Sequence, residues 1–413
     1  MKREKTVIQA LRERVGKFNT KRKKRRNIVL FAIGMFFANV SWGIAFPYLS
    51  VYMRIIGGTM LFVGLLSVVF NMTSTVFQYP FGYLSDKTRK RKPFIAFGVF
   101  SSGLIYVFMA LVSSPILLLT LRTLQGALTS AMMPAHSALI SELSTKVGSA
   151  FGFFSSVENA GYMLGNFLGS FIVEYFGIKG AFFAAFLFAT LGTLFVLMIS
   201  EKQRPKKRDF GIIAVQEARE SDRVAFEGAA FKRLMHGNLR IFYISMLLIM
   251  IASGEVYSVL SVYFGELFGE RWVGILFGID SLAAAASAVF IGKLIDRYGA
   301  KLFYVLSIIG YMAVFVGYTF ATSLKLMVVV CILSGVKWSM TLSSASTYVA
   351  LKVKASEKAQ AMGLLNTMMS LGWVIGPMLG GYLAGISFRF MFLSTLVPLG
   401  IALLLMFMIS DKE

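Results

Sequence analysis

The chain has 413 residues, of which 57% are hydrophobic and only 15% charged, and its mean hydropathy is +0.71. Soluble domains carry roughly 25% charged residues, so a water-soluble fold is excluded, whereas a surface facing lipid accommodates this much apolar side chain. The net charge of +22 would suggest nucleic acid in a soluble protein, but the Lys and Arg residues gather in the N-terminal arm, alternate loops and one central linker, as on the cytoplasmic side of a membrane protein.

Residues 1–27 hold twelve Lys and Arg. Val7, Ile8, Leu11, Val15 and Phe18 fall at helical spacing, which predicts either a short basic amphipathic helix on the inner leaflet or a solvated arm that only sets orientation. Twelve apolar segments follow, at about 28–53, 59–84, 93–113, 115–142, 148–174, 180–200, 239–264, 272–295, 301–321, 325–350, 357–385 and 387–409. Each is near the ~20 residues that cross ~30 Å of hydrocarbon. The first lacks a small-residue cleavage site, so a retained helix is expected. Open sheet edges cannot be satisfied in lipid, so the fold class is an all-α integral membrane protein with twelve transmembrane helices.

The linker 201–238 divides six segments from six, giving bundles at 28–200 and 239–410. With the N-terminus inside, 35 Lys and Arg fall on the cytoplasmic side and five in the outer loops. Both termini are therefore expected in the cytoplasm, with the chain multi-pass in the plasma (inner) membrane. Arg122 and Lys337 lie within apolar segments. The lone cysteine, Cys331, excludes a disulfide framework, and His136 and His236 are too few and too far apart for a zinc site. No cofactor or metal is expected.

The two bundles repeat one another. Gly82-Tyr-Leu-Ser-Asp86-Lys and Gly292-Lys-Leu-Ile-Asp296-Arg297 share the pattern G-x-L-x-D-[KR], 210 residues apart. Ser50-Val51-Tyr52 recurs as Ser261-Val262-Tyr263, and Gly161-x-x-x-Gly165-x-x-x-Gly169 as Gly372-x-x-x-Gly376-x-x-x-Gly380, both 211 apart. The loop from Gly82 to Lys92 and its echo resemble the cytoplasmic loops between helices 2 and 3 and helices 8 and 9 of major facilitator superfamily transporters. Arg89 stands where that family usually has Gly, while Gly299 keeps it.

The resemblance implies two six-helix bundles related by an axis along the membrane normal, with the substrate site between them near the midplane. It also implies that Asp86 and Asp296 help close the cytoplasmic side through charge-assisted bonds, with Arg91 and Arg297 as basic neighbours. Gly82 and Gly292 would let helices approach closely. The alternative for this basic loop is plain topology. Leu121-Arg122-Thr123-Leu124-Gln125-Gly126 resembles the family's R-x-x-Q-G signature, which ties Arg122 to proton coupling; a structural ion pair is the alternative. Gly161 to Gly169 resembles the G-x-x-x-G-P-x-x-G pattern of drug:proton antiporters, but Asn166 replaces the proline. Gly376-Pro377-Met378-Leu379-Gly380 carries the proline version, and helix packing alone is the competing account.

Of twenty Asp and Glu, Glu158, Glu255 and Asp280 fall well inside apolar segments. Glu158 lies roughly 15 Å from the inner surface at helical rise, near the midplane. The repeat counterparts are Met369, Ile44 and Phe70, so the scaffold itself needs no acid there. A carboxylate withdrawn from water holds its proton more tightly, which suits proton carriage, and an intramembrane charge is functional by default. Pairing with Arg122 or Lys337 is the structural alternative, and Lys337 is expected to meet Glu255. The expected cavity wall includes Trp42, Phe46, Met133, Tyr257, Lys337 and Trp338, which suits an amphiphilic compound better than a sugar.

These features together predict a monomeric proton-coupled antiporter that exports small amphiphilic compounds, as in multidrug efflux. The alternatives are a proton-linked symporter or facilitator for a metabolite or organic anion, and a lipid translocator or sensor. The loop G-x-x-x-x-G-K-[ST] is absent, which argues against ATP-driven pumping. No catalytic constellation marks an enzyme.

Overall fold

The computed structural model describes residues 2–88, 90–143, 147–201, 235–354 and 357–409. Most of the expected linker 201–238 lies outside the described residues. The described residues form helices without strands: α1 (Lys2–Ile55), α2 (Met60–Thr88), α3 (Lys92–Leu111), α4 (Pro115–Thr129), α5 (Met132–Leu143), α6 (Val147–Leu197), α7 (Gly237–Tyr257), α8 (Leu260–Phe268), α9 (Glu270–Tyr298), α10 (Ala300–Phe320), α11 (Leu324–Lys352), α12 (Lys358–Ala384), α13 (Phe388–Ser394) and α14 (Leu396–Met408). Eleven helical stretches are long and apolar enough to cross a membrane. One of them holds two crossings. The 51 residues of α6 would extend about 77 Å if straight, and the helix bends back at Gly177, whose φ of 68° is readily adopted only by glycine. The total is twelve crossings.

Two expectations about the segments need correction. The arm is no separate short helix, because α1 runs without a break from Lys2 into the first crossing. The segments expected at 115–142, 239–264 and 387–409 are each two helices. A hydroxyl marks every break. Ser130 Oγ donates to the Ala127 carbonyl at 2.5 Å, Ser258 Oγ to Glu255 at 3.2 Å and Thr395 Oγ1 to Phe392 at 2.6 Å. A side chain that bonds the carbonyl three residues back competes with the helical ladder, and here the helix restarts just beyond.

Within each half, glycines set the closest approach. The α6 glycines face α1: a Cβ on Gly161, Gly165 or Gly169 would fall on the carbonyls of Phe36, Val40 and Ile44. The repeat does the same, since Gly376 and Gly380 of α12 lie against the carbonyls of Ile251 and Glu255 on α7, and Gly372 lies on Met250. Lipid supplies no hydrophobic drive between helices, so close backbone packing of small residues holds them together. Pro377 serves a different joint. Its carbonyl touches Gly64 of α2, in the other half.

The joints between halves lie in the middle of the molecule or at the face opposite the basic loop Gly82–Lys92. Ser50 Oγ donates to the Ser258 carbonyl at 3.1 Å, and Gly274 N donates to Tyr48 Oη at 3.1 Å. Arg271 is held twice by α6, through Glu174 at 2.6 Å and through Ser170 Oγ on its carbonyl at 2.6 Å. At the basic face the expected close approach of Gly82 and Gly292 is not made. Gly82 has only Pro134 of its own half beside it, and Gly292 has open space. The groove between the halves opens toward the basic face.

A bulky side chain at a glycine joint should therefore destabilise the bundle while the same change in open space should not. Gly165→Leu or Gly376→Leu is expected to cost about 1–3 kcal/mol, read as a lower melting temperature in detergent. Gly363→Leu, which meets nothing within 4 Å, should leave it unchanged.

Candidate functional site

Two cavities occupy the groove. The larger has a volume of about 480 Å³ and lies mostly in the first half, where Trp42 and Asn39 of α1, Phe70, Asn71 and Gln78 of α2, Met132, Met133 and His136 of α5, and Glu158 of α6 line it. Trp42 stands edge-on to Phe70 at 5.4 Å between ring centres. The wall is more polar than the sequence suggests, but Asn39 and Asn71 spend amide donors on backbone carbonyls of Met35, Ser67 and Trp373. Trp42, Phe70, Met35, Met132 and Met133 supply the aromatic and thioether part of a wall that also carries Ser74, Thr75 and Gln78.

Glu158 is the carboxylate of this cavity, and it is not isolated. His136 Nε2 and Glu158 Oε1 are 2.6 Å apart, with both side chains partly accessible. Neither Arg122 nor Lys337 is its partner, so the structural pairing considered for Glu158 is replaced by a histidine. His136 sits on α5 because α4 stops at Thr129 and the chain restarts at Met132. A sequence reading that weighs histidines only as zinc ligands misses it. The criterion that singles out Glu158, an ionisable group inside an apolar segment, would have found it.

The smaller cavity, about 330 Å³, lies between the halves and is lined by Tyr162, Tyr257, Asp280, Trp338 and Trp373 among others. One carboxylate oxygen of Asp280, Oδ1, is buried without a hydrogen-bond partner. Behind Tyr257 lies Lys337, 2% exposed, its Nζ donating to Tyr257 Oη at 3.1 Å and resting 3.9 Å over the Tyr311 ring. Asp280 and Lys337 lie within electrostatic reach of one another, although no ion pair joins them.

Three expectations change here. Lys337 and Glu255 do not pair. Glu255 is 3% exposed and accepts from Ser394 Oγ at 2.6 Å, on α13. Residues two apart on a helix point roughly 200° apart, so Tyr257 and not Glu255 is turned toward Lys337. Glu255 and Lys337 line neither cavity, and neither does Phe46, which stacks on Trp42 at 6.0 Å.

Arg122 is 2% exposed and has no carboxylate partner. Its Nη1 donates to Gln125 Oε1 at 2.5 Å, and its cation lies 4.0 Å over the Phe70 ring, with Trp42 and Phe46 farther out. Gln125 is fixed in turn by Ser102, through Nε2 to its carbonyl at 3.0 Å. The R-x-x-Q spacing thus builds a self-contained pair one turn apart on α4. Phe70 shields the guanidinium from the larger cavity.

At the basic face, Arg91 gathers the gate residues. Its Nη1 is 2.6 Å from Asp86 and 2.9 Å from Ser85 Oγ, its Nε is 3.4 Å from Glu142, and its backbone N donates to Glu201 at 2.6 Å. All of these lie in the first half except Glu201, which opens the linker. In the second copy, Asp296 is exposed with no ion pair among the described residues, and Arg297 lies 5.2 Å over Tyr298. Neither aspartate bridges the two halves.

Twelve crossings in two similar bundles around a central groove define a membrane transporter fold. The family profile of the Major Facilitator Superfamily matches residues 31–273 and 242–413, and the chain belongs to that superfamily. The uncharacterized MFS-type transporter MJ1560 of Methanocaldococcus jannaschii is 26% identical over 88% of this chain and 92% of its own length. The multidrug resistance protein MdtG of Dickeya zeae is 24% identical over 90% of this chain and 91% of its own. Among solved structures, the nucleoside transporter NupG superposes with a TM-score of 0.74 at 15% identity, over 92% of this chain and 98% of that one.

The geometry predicts which buried charges are coupled. In a double-mutant cycle by melting temperature, Lys337→Met with Asp280→Asn should deviate from additivity by about 1–2 kcal/mol, whereas Lys337→Met with Glu255→Gln should add within about 0.5 kcal/mol.

Proposed function

We propose that the protein is a proton-coupled antiporter that exports small amphiphilic compounds by alternating access. The observation that carries this reading is the larger cavity, a space of about 480 Å³ whose wall mixes the aromatic and thioether side chains Trp42, Phe70, Met132 and Met133 with neutral polar groups and one carboxylate, Glu158. Such a volume suits a drug-sized ligand, and a carboxylate that is accessible from the groove can take up and give back a proton. Similarity to MdtG multidrug resistance proteins favours efflux. The organic-anion alternative draws no support from Lys337, which lines neither cavity.

In this reading the basic face is cytoplasmic, both termini lie there, and the protein works as a monomer in the plasma membrane. The groove then opens inward, and the joints from Ser50 to Arg271 close the outside. In the opposite state the halves meet at the basic face, where Asp86 and Asp296 hold them together and Gly82 and Gly292 permit the approach. Glu158, Asp280 and Glu255 are the acids available for coupling, with Arg122 and Lys337 setting the field around them. Glu158 is the first choice because it alone lines the larger cavity.

Transport in everted vesicles tests the reading. Compound uptake should require an inward-acid gradient and collapse when the gradient is dissipated. Glu158→Gln, fixed in the protonated shape, should abolish accumulation; accumulation against a gradient by this variant would exclude Glu158 as the coupling group. Asp86→Asn should slow transport about tenfold or more at normal expression, a loss of roughly 1.4 kcal/mol or greater in the barrier balance. Wild-type rates would remove Asp86 from the gate.

A further inference from the structure

His136 has no place in the reading so far, yet it makes the shortest contact to the one carboxylate of the larger cavity, 2.6 Å from Glu158. It is held in place from behind by the Phe31 ring, 5.4 Å between centres. Among the described residues that line the cavity, no lysine or arginine supplies a second cation. Arg122, the nearest guanidinium on α4, is covered by Phe70. The side chains around the pair are otherwise neutral: Asn39 on α1, Gln78 on α2, Ser102 on α3, Met132 and Met133 on α5, and Ser370 on α12.

A carboxylate in such a wall attracts a positive group and repels an anion, and among the described residues the one side chain beside Glu158 that can carry a positive charge is the imidazole of His136, 2.6 Å away. We propose that His136 is the resident counter-charge of Glu158, that a transported compound carries a protonated amine or another organic cation, and that it must displace His136 from Glu158 to bind. This rests on the reading of the larger cavity as the substrate site. The aromatic faces of Trp42 and Phe70 then receive the apolar body of the compound, and a cation beside them gains from their ring quadrupoles as well. His136 acts as a specificity-determining residue. It opposes neutral compounds, which cannot replace it on Glu158, and it lowers the affinity of cations by the strength of the pair it gives up.

The test is equilibrium binding to the purified full-length protein in detergent, at one fixed pH and without any gradient. The probes are tetraphenylphosphonium, neutral triphenylphosphine oxide and tetraphenylborate. Wild type should prefer the cation. His136→Asn should bind the cation about fivefold tighter, the worth of a partly exposed ion pair, with no gain for the neutral probe. Glu158→Gln should lose the cation preference, and adding His136→Asn to it should bring no further gain. Equal affinity for all three probes, unchanged cation affinity in His136→Asn, or a gain that persists without Glu158 would each overturn the proposal. If His136→Asn fails to elute as a folded species, His136→Gln carries the same expectation. Binding as described with no gradient-driven transport would sink the antiport reading alone. Gradient-driven export of compounds without charge preference would sink this one alone.

Discussion

A charge inside the membrane has to be answered by the protein around it, because no bulk water is there to solvate it. This constraint organises the interior more than any shape does. Arg122 is answered by Gln125 and the face of Phe70, Glu158 by His136, Glu255 by Ser394, and Lys337 by Tyr257 and Tyr311. Of the acids, Asp280 keeps a buried oxygen without a partner, and Arg122 keeps its Nε unpartnered. Four different solutions leave two acids, Glu158 and Asp280, in the walls of the two cavities. The charges on Arg122 and Glu255 line neither cavity.

The second constraint is how the halves meet. Each half is locked internally by glycines that bring backbones into contact, so neither half can deform cheaply. The halves themselves touch through hydroxyl-to-carbonyl bonds, one ion pair at Glu174–Arg271 and the glycine contacts of α2 with α12. Close packing of Gly64 on Gly381, Gly274 on Asn166 and Gly278 on Phe167 adds to them, and they sit away from the basic face. Rigid bundles that meet away from the basic face are what rocking about a central site requires.

Much of this was legible in the sequence, and the boundary is instructive. The crossings follow from apolar length, and the glycine triplets predict helix contact from their four-residue spacing alone. The breaks within three segments were not legible: each carries a hydroxyl bonded to the carbonyl three residues back, but Ser287 and Ser307 make the same bond inside unbroken helices. Pairings were the least accessible. Glu255 and Tyr257 stand two residues apart, yet the rotation of α7 decides that the tyrosine meets Lys337 and the glutamate meets Ser394. That rotation is set by Gly376 and Gly380 on α12, which no property of residues 255–257 reveals.

The repeat shows how such a scaffold acquires function. Gly126 of α4 lies against the backbone of Phe70, and Gly335 of α11 lies against the backbone of Asp280. These are the same joint in the two halves. In the first half the joint presents an aromatic ring that covers the cation of Arg122; in the second it presents a carboxylate within reach of Lys337. The backbone packing needs only the glycine, so the opposing side chain is free to differ. One half uses that freedom to bury a charge for good, and the other to keep a charge at the wall of a cavity. The asymmetry of chemistry on a symmetric frame places Asp280 in the smaller cavity and leaves the larger one to Glu158 and His136.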